Sequence, residues 1–91
     1  MSPQQLQQLS EMFHVLGHPT KCRVLRYVME QDEPVVPTLV AISLEIPSNQ
    51  AAYSLKQMSK VGILTRNVSG RYTFYDIDPR FKTLVKEFLL W

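Results

Sequence analysis

The 91-residue sequence has little or none of several features that define common protein classes. Its single cysteine, Cys22, excludes an intrachain disulfide and is typical of a reducing cytoplasm. It has no apolar run of the roughly 18 residues that span a bilayer, and its glutamine-rich start does not resemble a signal peptide. We therefore expect one cytoplasmic domain, residues 1–91, that does not enter a membrane.

The sequence also lacks the residue patterns of a catalytic or metal site. It contains no glycine-rich phosphate loop, no paired carboxylates and no nucleophile at motif spacing from a base. His14 and His18 are four residues apart, but Gly17 and Pro19 interrupt the helix that would bring them to one metal ion. We predict that the protein is not an enzyme and has no cofactor or metal. Cys22 is interpreted as a buried small apolar residue, with a redox sensor and an intersubunit disulfide as the alternatives.

Acidic residues are absent from the third of the chain between Ile46 and Tyr75. That segment carries four basic residues, hence a charge of +4, whereas the rest has six basic and eight acidic residues, hence −2. A basic region on a slightly acidic domain is the electrostatic pattern expected of a nucleic-acid-binding protein. Chance clustering of four cations is the alternative.

The stretch from Pro47 to Gly62 is predicted to form the central helix, with Ser48 as its N-cap. Ala51, Leu55, Met58 and Gly62 recur at the spacing of a buried face. The opposite face has amide, phenol and ammonium groups and no carboxylate, and its members are Asn49, Tyr53, Lys56 and Lys60, flanked by Gln50, Ser54 and Gln57. Such a surface suits base edges and phosphates in a major groove. An ordinary solvated helix face is the alternative.

Periodicity, prolines and turn residues predict the other elements. They are a helix over 3–16 ended by Gly17, a helix over 19–30, an extended Val35-Val36, a helix over 37–44, strands over 63–67 and 72–77 joined by a turn at 68–70, and a helix over 80–91 that is capped by Asp78 and preceded by Pro79. We expect Cys22, Leu25, Val28 and Met29 to be buried to varying degrees, and Leu39, Val40 and Ile42 to face inward. The fold class is mainly α with a small β-hairpin, a winged helix-turn-helix.

Three stretches at this spacing resemble the ArsR/SmtB family of small winged-helix transcription regulators. They are LGHPTKCRVLRYV, AISLEIPSNQAAYSLKQMSKVGIL and SGRYTFYDI, and together they comprise 46 of the 91 residues, between Leu16 and Ile77. The resemblance implies a homodimer in which two recognition helices meet successive major grooves of double-stranded DNA. It also implies that the first and last helices, residues 3–16 and 79–91, form the subunit interface, and the residues expected there are Leu6, Leu9, Phe13, Leu84, Phe88 and Trp91.

The sequence departs from the metal-sensing members of that family. Those members carry Cys-x-Cys at the start of the third helix, where this chain has Val35-Val36-Pro37, and Val and Pro offer no ligand. Others bind metal through His and acidic residues on the last helix, which here has no His and one acid, Glu87. The resemblance therefore implies a member that does not sense metal. Pro47 stands where the family often has the N-cap Ser.

We predict a sequence-specific DNA-binding regulator, most simply a repressor, that recognises a palindromic operator. The expected DNA-binding residues are Ser48, Asn49, Gln50, Tyr53, Ser54, Lys56, Gln57, Lys60, Arg66 and Arg71. Two alternatives remain: a winged-helix module for protein-protein contact, and a ligand- or redox-responsive regulator that is switched through the dimer interface. The sequence names no small-molecule effector.

Overall fold

A computed structural model describes residues 1–90 of the chain, and Trp91, expected at the dimer interface, lies outside this range. The described residues form five helices and one hairpin in the predicted order. The elements are α1 (Pro3–Leu16), α2 (Pro19–Glu30), α3 (Pro37–Leu44), α4 (Ser48–Lys60), β1 (Leu64–Ser69), β2 (Tyr72–Ile77) and α5 (Pro79–Leu90).

Proline marks the start of every helix. Pro3, Pro19, Pro37 and Pro79 are the first residues of α1, α2, α3 and α5, where the missing N–H would have no helical partner. Pro47 is itself the N-cap of α4, and the helix begins at Ser48. The prediction of Ser48 as the N-cap is therefore wrong by one residue, because the extended backbone of Pro47 already occupies the cap.

Side chains complete three of these helix starts. Ser2 Oγ accepts a hydrogen bond from the amide of Gln5 at 3.1 Å, which caps α1. His18 Nδ1 accepts a hydrogen bond from the amide of Thr20 at 3.2 Å, which caps α2. Asp78 Oδ1 accepts from the amide of Arg80 at 2.9 Å, so the predicted cap of α5 is confirmed. The Arg80 guanidinium also donates to this carboxylate and holds the pKa of Asp78 below its usual value, although burial opposes the shift.

The core is built around one face of α4. Ala51, Leu55 and Met58 have no exposed surface, as their spacing predicts. α1, α2, α3 and β1 pack against α4, and the fully buried side chains of the shared core include Met12, Val24, Val40 and Ile63. Gly62, the last member of the predicted stripe, lies beyond the end of the helix with φ +85° and is partly buried. The inner half of the predicted two-faced helix is thus confirmed over residues 51–58.

The hairpin is antiparallel and is longer on its first strand than predicted. Leu64 pairs with Ile77 and Ser69 pairs with Tyr72, so residues 68 and 69 belong to β1. The turn is the two-residue connection Gly70-Arg71, with Gly70 at φ +59°. A two-residue hairpin turn requires positive φ, so the predicted role of Gly70 is confirmed, whereas the predicted three-residue turn is wrong.

Several predicted inward-facing side chains are exposed. Cys22 lies at the surface, where its thiol donates to the carbonyl of Leu16 at 2.9 Å, so its interpretation as a buried residue is wrong. Met29, Leu39 and Ile42 are also exposed, whereas Val40 is fully buried. α3 is apolar on nearly all sides and has only two turns, so residue type did not reveal which side meets the core.

The terminal helices contribute more to the core of the monomer than expected. Leu9 and Leu84, both predicted at a dimer interface, are 2% and 6% exposed within one chain. Phe13 and Phe88 contact each other edge to face, with ring centroids 5.7 Å apart. Both rings remain partly exposed, and Leu89 and Leu90 are 74% and 78% exposed. The apolar surface that is left uncovered therefore lies toward the end of α5.

No helix of the described chain is long and apolar enough to cross a membrane.

Candidate nucleic-acid interface

The outer face of α4 is fully accessible. Asn49, Tyr53, Lys56 and Lys60 are all exposed and follow one another along the side opposite the buried stripe. Gln50 is exposed beside them, and Gln57 is partly exposed. This face presents two amides, then a phenol ring, then two ammonium groups. Amides near the helix start are able to pair with base edges, and ammonium groups farther along suit phosphate oxygens.

A tight turn fixes the start of this face. α3 ends at Leu44, and its C-cap Glu45 adopts a left-handed conformation with φ +55°. The amide of Ile46 donates to the carbonyl of Ala41. The guanidinium of Arg23 on α2 donates to the carbonyl of Leu44 at 3.0 Å, so α2 holds the turn from outside. The positions of Ser48 and Asn49 are thus determined by α2, by α3 and by the turn between α3 and α4.

The first turn of α4 has no side-chain cap. Pro47 offers no hydrogen-bonding side chain, and its carbonyl accepts from the amides of Gln50 and Ala51. The two residues that come before Gln50 at the start of α4, Ser48 and Asn49, are exposed. The uncapped amides of a first helical turn favour anionic groups.

Ser54 does not belong to the exposed face. It is 3% exposed and lies on the side of α4 that meets α2. Its predicted place on the flank of the outer stripe is therefore wrong, because the flank at this position is covered by the N-terminal turn of α2. The other expected DNA-binding residues have accessible side chains.

The hairpin extends the basic surface. Arg66 on β1 and Arg71 at the turn are both exposed. Arg66 pairs with Tyr75 across the hairpin, so the two side chains share a face of the ribbon. Tyr75 is buried against the core, which fixes that face. Arg71 lies at the outermost point of the hairpin, where an arginine is able to reach past a helix in the major groove.

None of the four cations in this segment is neutralised by an ion pair within residues 1–90. The ion pairs in that range join Arg26 to Glu30 and Arg80 to Asp78. Lys56, Lys60, Arg66 and Arg71 therefore present uncompensated charge on α4 and the hairpin. An unpaired basic surface beside an acid-free helix face is able to attract a polyanion.

One cation beside this surface was not among the predicted residues. The ammonium of Lys21, at the start of α2, lies 5.4 Å from the ring centroid of Tyr53. This distance is within the range of a cation–π contact. The only sequence signal was an isolated basic residue, because the approach of α2 to α4 is a property of the tertiary structure.

Val35, where metal-sensing members of the resembled family have a ligand, has a structural role here. Val35 is buried and exchanges two backbone hydrogen bonds of 2.8 Å with Tyr75. His18 uses one ring nitrogen to cap α2. Among residues 1–90, no three His, Cys, Asp or Glu side chains lie close enough together to hold a metal ion.

Comparison with known proteins gives a match in structure and none in sequence. No family model matches the chain, and no curated protein is similar to it in sequence. The homodimeric winged helix-turn-helix DNA-binding domain of a possible ArsR-family regulator from Mycobacterium bovis superposes with a TM-score of 0.74 at 15% identity, over 99% of this chain and 82% of that one. The chain has the winged helix-turn-helix fold.

Other neighbours with this winged helix-turn-helix fold are also transcriptional regulators. An ArsR-family regulator superposes with a TM-score of 0.75 at 20% identity, over 92% of this chain and 84% of that one. The transcriptional repressor PagR of Bacillus anthracis gives 0.71 at 20% identity, over 96% and 99% of the two chains. In this winged helix, α3 and α4 form the helix-turn-helix, α4 is its second helix and the β1–β2 hairpin is the wing. The predicted fold class is confirmed.

Proposed function

We propose that this chain is a transcriptional regulator of the ArsR type that binds double-stranded DNA sequence-specifically as a homodimer. The observation that carries the proposal is the exposed, acid-free outer face of α4, which we take as the recognition helix and which continues onto the wing. Two cations on α4 and two on the wing have no ion pair within residues 1–90. The fold shared with regulators supports the same reading. A face that served only solubility would usually mix acidic and basic side chains.

Each part of the surface has its own role in the proposal. Asn49 and Gln50, in the first turn of α4, read base edges in the major groove, because their amides pair bidentately with adenine. Lys56, Lys60 and Arg66 bind phosphate oxygens and position the protein. Arg71 at the wing tip enters the adjacent minor groove, where narrow A·T tracts attract arginine.

The simplest regulatory outcome is repression of the operon that encodes the protein. The test is a mobility-shift titration of the purified protein on its own upstream DNA, with a scrambled duplex of equal length and composition as the control. We expect a shift with the upstream duplex at protein concentrations at least tenfold below those needed for the scrambled one. Equal binding to both duplexes would contradict sequence-specific recognition, and no binding to either would contradict the proposed function.

The proposed dimer joins the exposed apolar surface of α5, together with Phe13 of α1, to the same surface of a second chain. Replacing both Leu89 and Leu90 with Glu should give a folded monomer, because these side chains are mostly exposed in one chain and their loss leaves no cavity. Ile42→Glu is the matched control, since Ile42 is similarly exposed (71%) on α3. Sedimentation should give a dimer for the wild type and the control. A wild-type monomer at tens of micromolar would contradict the dimer.

The second candidate is a winged-helix module that binds another protein. Exposed apolar side chains of α3 and the wing, Leu39, Ile42 and Tyr72, border a shared groove of about 520 Å³ and favour this candidate. The mobility shift separates the two functions. If Ile42→Glu leaves DNA binding intact while Lys56→Ala weakens it, the first function is supported.

A further inference from the structure

A hollow of about 270 Å³ opens between the N-terminal turn of α2 and the first half of α4. It lies beside the face that we propose contacts DNA. Six residues line it: His18, Thr20, Lys21, Gln50, Tyr53 and Ser54. The lining contains one cationic side chain, several hydrogen-bond donors and no carboxylate. A concave, donor-rich surface of this kind is suited to an anion rather than to a cation.

The start of α2 contributes part of this character. Pro19 has no amide hydrogen, the amide of Thr20 donates to His18 Nδ1, and the amide of Cys22 donates to the carbonyl of His18. His18, Thr20 and Lys21 line the hollow, so the positive end of the α2 dipole borders it, with the Lys21 ammonium beside it. The cation–π contact between Lys21 and Tyr53 keeps this ammonium on the side of α4.

Ser54 gives an independent indication of a ligand. Only 3% of Ser54 is exposed, and the residue lines the hollow. Within residues 1–90 no hydrogen bond joins its hydroxyl to another group, whereas Ser59 and Thr83 donate to carbonyls of their own helices at 2.8 and 3.1 Å. No fully enclosed side-chain oxygen or nitrogen in that range lacks a partner. The Ser54 hydroxyl oxygen therefore keeps some exposed surface, and Ser54 borders the hollow.

We propose that this hollow binds one phosphate group, and that the group is a backbone phosphodiester of the bound DNA. The phosphate oxygens accept from the Ser54 hydroxyl and the Lys21 ammonium, and the start of α2 supplies a favourable field. The proposal deepens the proposed function and rests on it. Its consequence is that α2, outside the helix-turn-helix, holds the same DNA strand that α4 reads. The contact adds affinity equally on all sequences.

The first test compares Lys21→Gln with Lys82→Gln on the matched duplex over a series of salt concentrations. Lys82 is an exposed lysine of α5, far along the chain from the hollow, and its replacement changes the net charge equally. Lys21→Gln should lower the salt slope by about 0.9 per protomer, hence about two per dimer, while Lys82→Gln leaves it unchanged. Ser54→Ala should weaken the matched and scrambled duplexes by the same factor, about fivefold or more. If Ser54→Ala fails to fold, the comparison of the salt slopes of Lys21→Gln and Lys82→Gln tests the phosphate contact alone.

The second test locates the phosphate. Duplexes that carry a single neutral methylphosphonate are scanned along each half-site. One position should weaken the wild type about tenfold and leave Lys21→Gln unaffected, since that variant has already lost the contact. If every methylphosphonate acts equally on wild type and Lys21→Gln, the inference is overturned, although DNA binding and the proposed function stand.

A third arm uses inorganic phosphate without DNA and follows the amide resonances of Lys21 and Ser54. Binding that shifts them in the wild type but not in Lys21→Gln supports a phosphate site. If inorganic phosphate binds there and the methylphosphonate scan is silent, the hollow takes free phosphate and the assignment to DNA is overturned. If the wild type binds no DNA, the proposed function fails, and with it the assignment to DNA. Absence of both effects overturns the site altogether.

Discussion

Val35 and Tyr75 exchange two backbone hydrogen bonds of 2.8 Å and join the segment before α3 to the inner strand of the wing. Both side chains are buried. The first helix of the helix-turn-helix is therefore tied to the wing by backbone as well as by packing. The Val35 side chain is buried where the backbone joins β2, so it packs in the core. The position at which metal-sensing members of the resembled family place a ligand therefore has a structural role here.

The burial of Tyr75 predicts that replacing it destabilises the fold far more than replacing Tyr72, the exposed tyrosine of β2. Tyr75→Ala should lower the free energy of unfolding by about 3–5 kcal/mol, because it empties a buried aromatic site. Tyr72→Ala should change it by less than about 1 kcal/mol, because Tyr72 is 62% exposed. Urea denaturation followed by circular dichroism measures both. Equal losses for the two variants would mean that the wing does not pack on the core as described.

Base recognition is assigned to the first turn of α4. Asn49→Ala or Gln50→Ala should relax preference at one symmetric pair of operator positions, at a cost of about 1–3 kcal/mol per lost bidentate contact. Binding isotherms on operators that are substituted one position at a time give the specificity ratio. Unchanged ratios for both variants would show that this turn does not read bases.

Phosphate contacts are assigned to the later part of the same face. Lys56→Ala should weaken binding to matched and scrambled duplexes alike and lower the salt slope by about one or two units per dimer. Lys86→Ala, an equal change of charge on exposed α5, should leave the slope unchanged. If the two variants behave identically, the outer stripe of α4 is an ordinary solvated surface.

The cap of α5 predicts a loss of stability in acid. The pKa of Asp78 is lowered in the folded chain by its hydrogen bonds with Arg80, so the stabilisation is complete above the unfolded-state pKa of about 3.9 and is lost as the pH falls through the lower folded-state value. Asp78→Asn keeps a capping oxygen but cannot ionise. Its unfolding free energy should decline less between pH 4 and pH 2 than that of the wild type. If the unfolding free energies of the two proteins declined equally, Asp78 would not contribute to the loss of stability in acid.

Elements were easier to predict from this sequence than contacts. Prolines and apolar spacing gave the starts of the five helices within one residue and their ends within two, since both signals are local. The facing of Leu39 and Ile42 was wrong because a two-turn apolar helix has no polar side to orient it. The prediction for Cys22 was wrong for a related reason: α2 buries Val24, Leu25 and Val28, whereas Cys22 lies on an exposed side of the helix.

In the candidate site, too, local features were predictable from the sequence and tertiary contacts were not. The spacing of Asn49, Tyr53, Lys56 and Lys60 predicted an exposed face, and the structure exposes all four. The burial of Ser54 and the approach of Lys21 to Tyr53 arise from the packing of α2 on α4, which joins residues about thirty positions apart. Nothing local in the sequence encodes that distance.

The prolines at the helix starts have a consequence for how this domain tolerates insertions. Because each helix is begun by its own proline, or in α4 by the proline just before it, residues added to a connecting loop do not change where the next helix starts. Its apolar stripe keeps its phase relative to that proline and still meets the core. Outside the α3–α4 turn, which its own hydrogen bonds hold, residues added to a loop therefore do not rotate the face of α4 that we propose reads DNA.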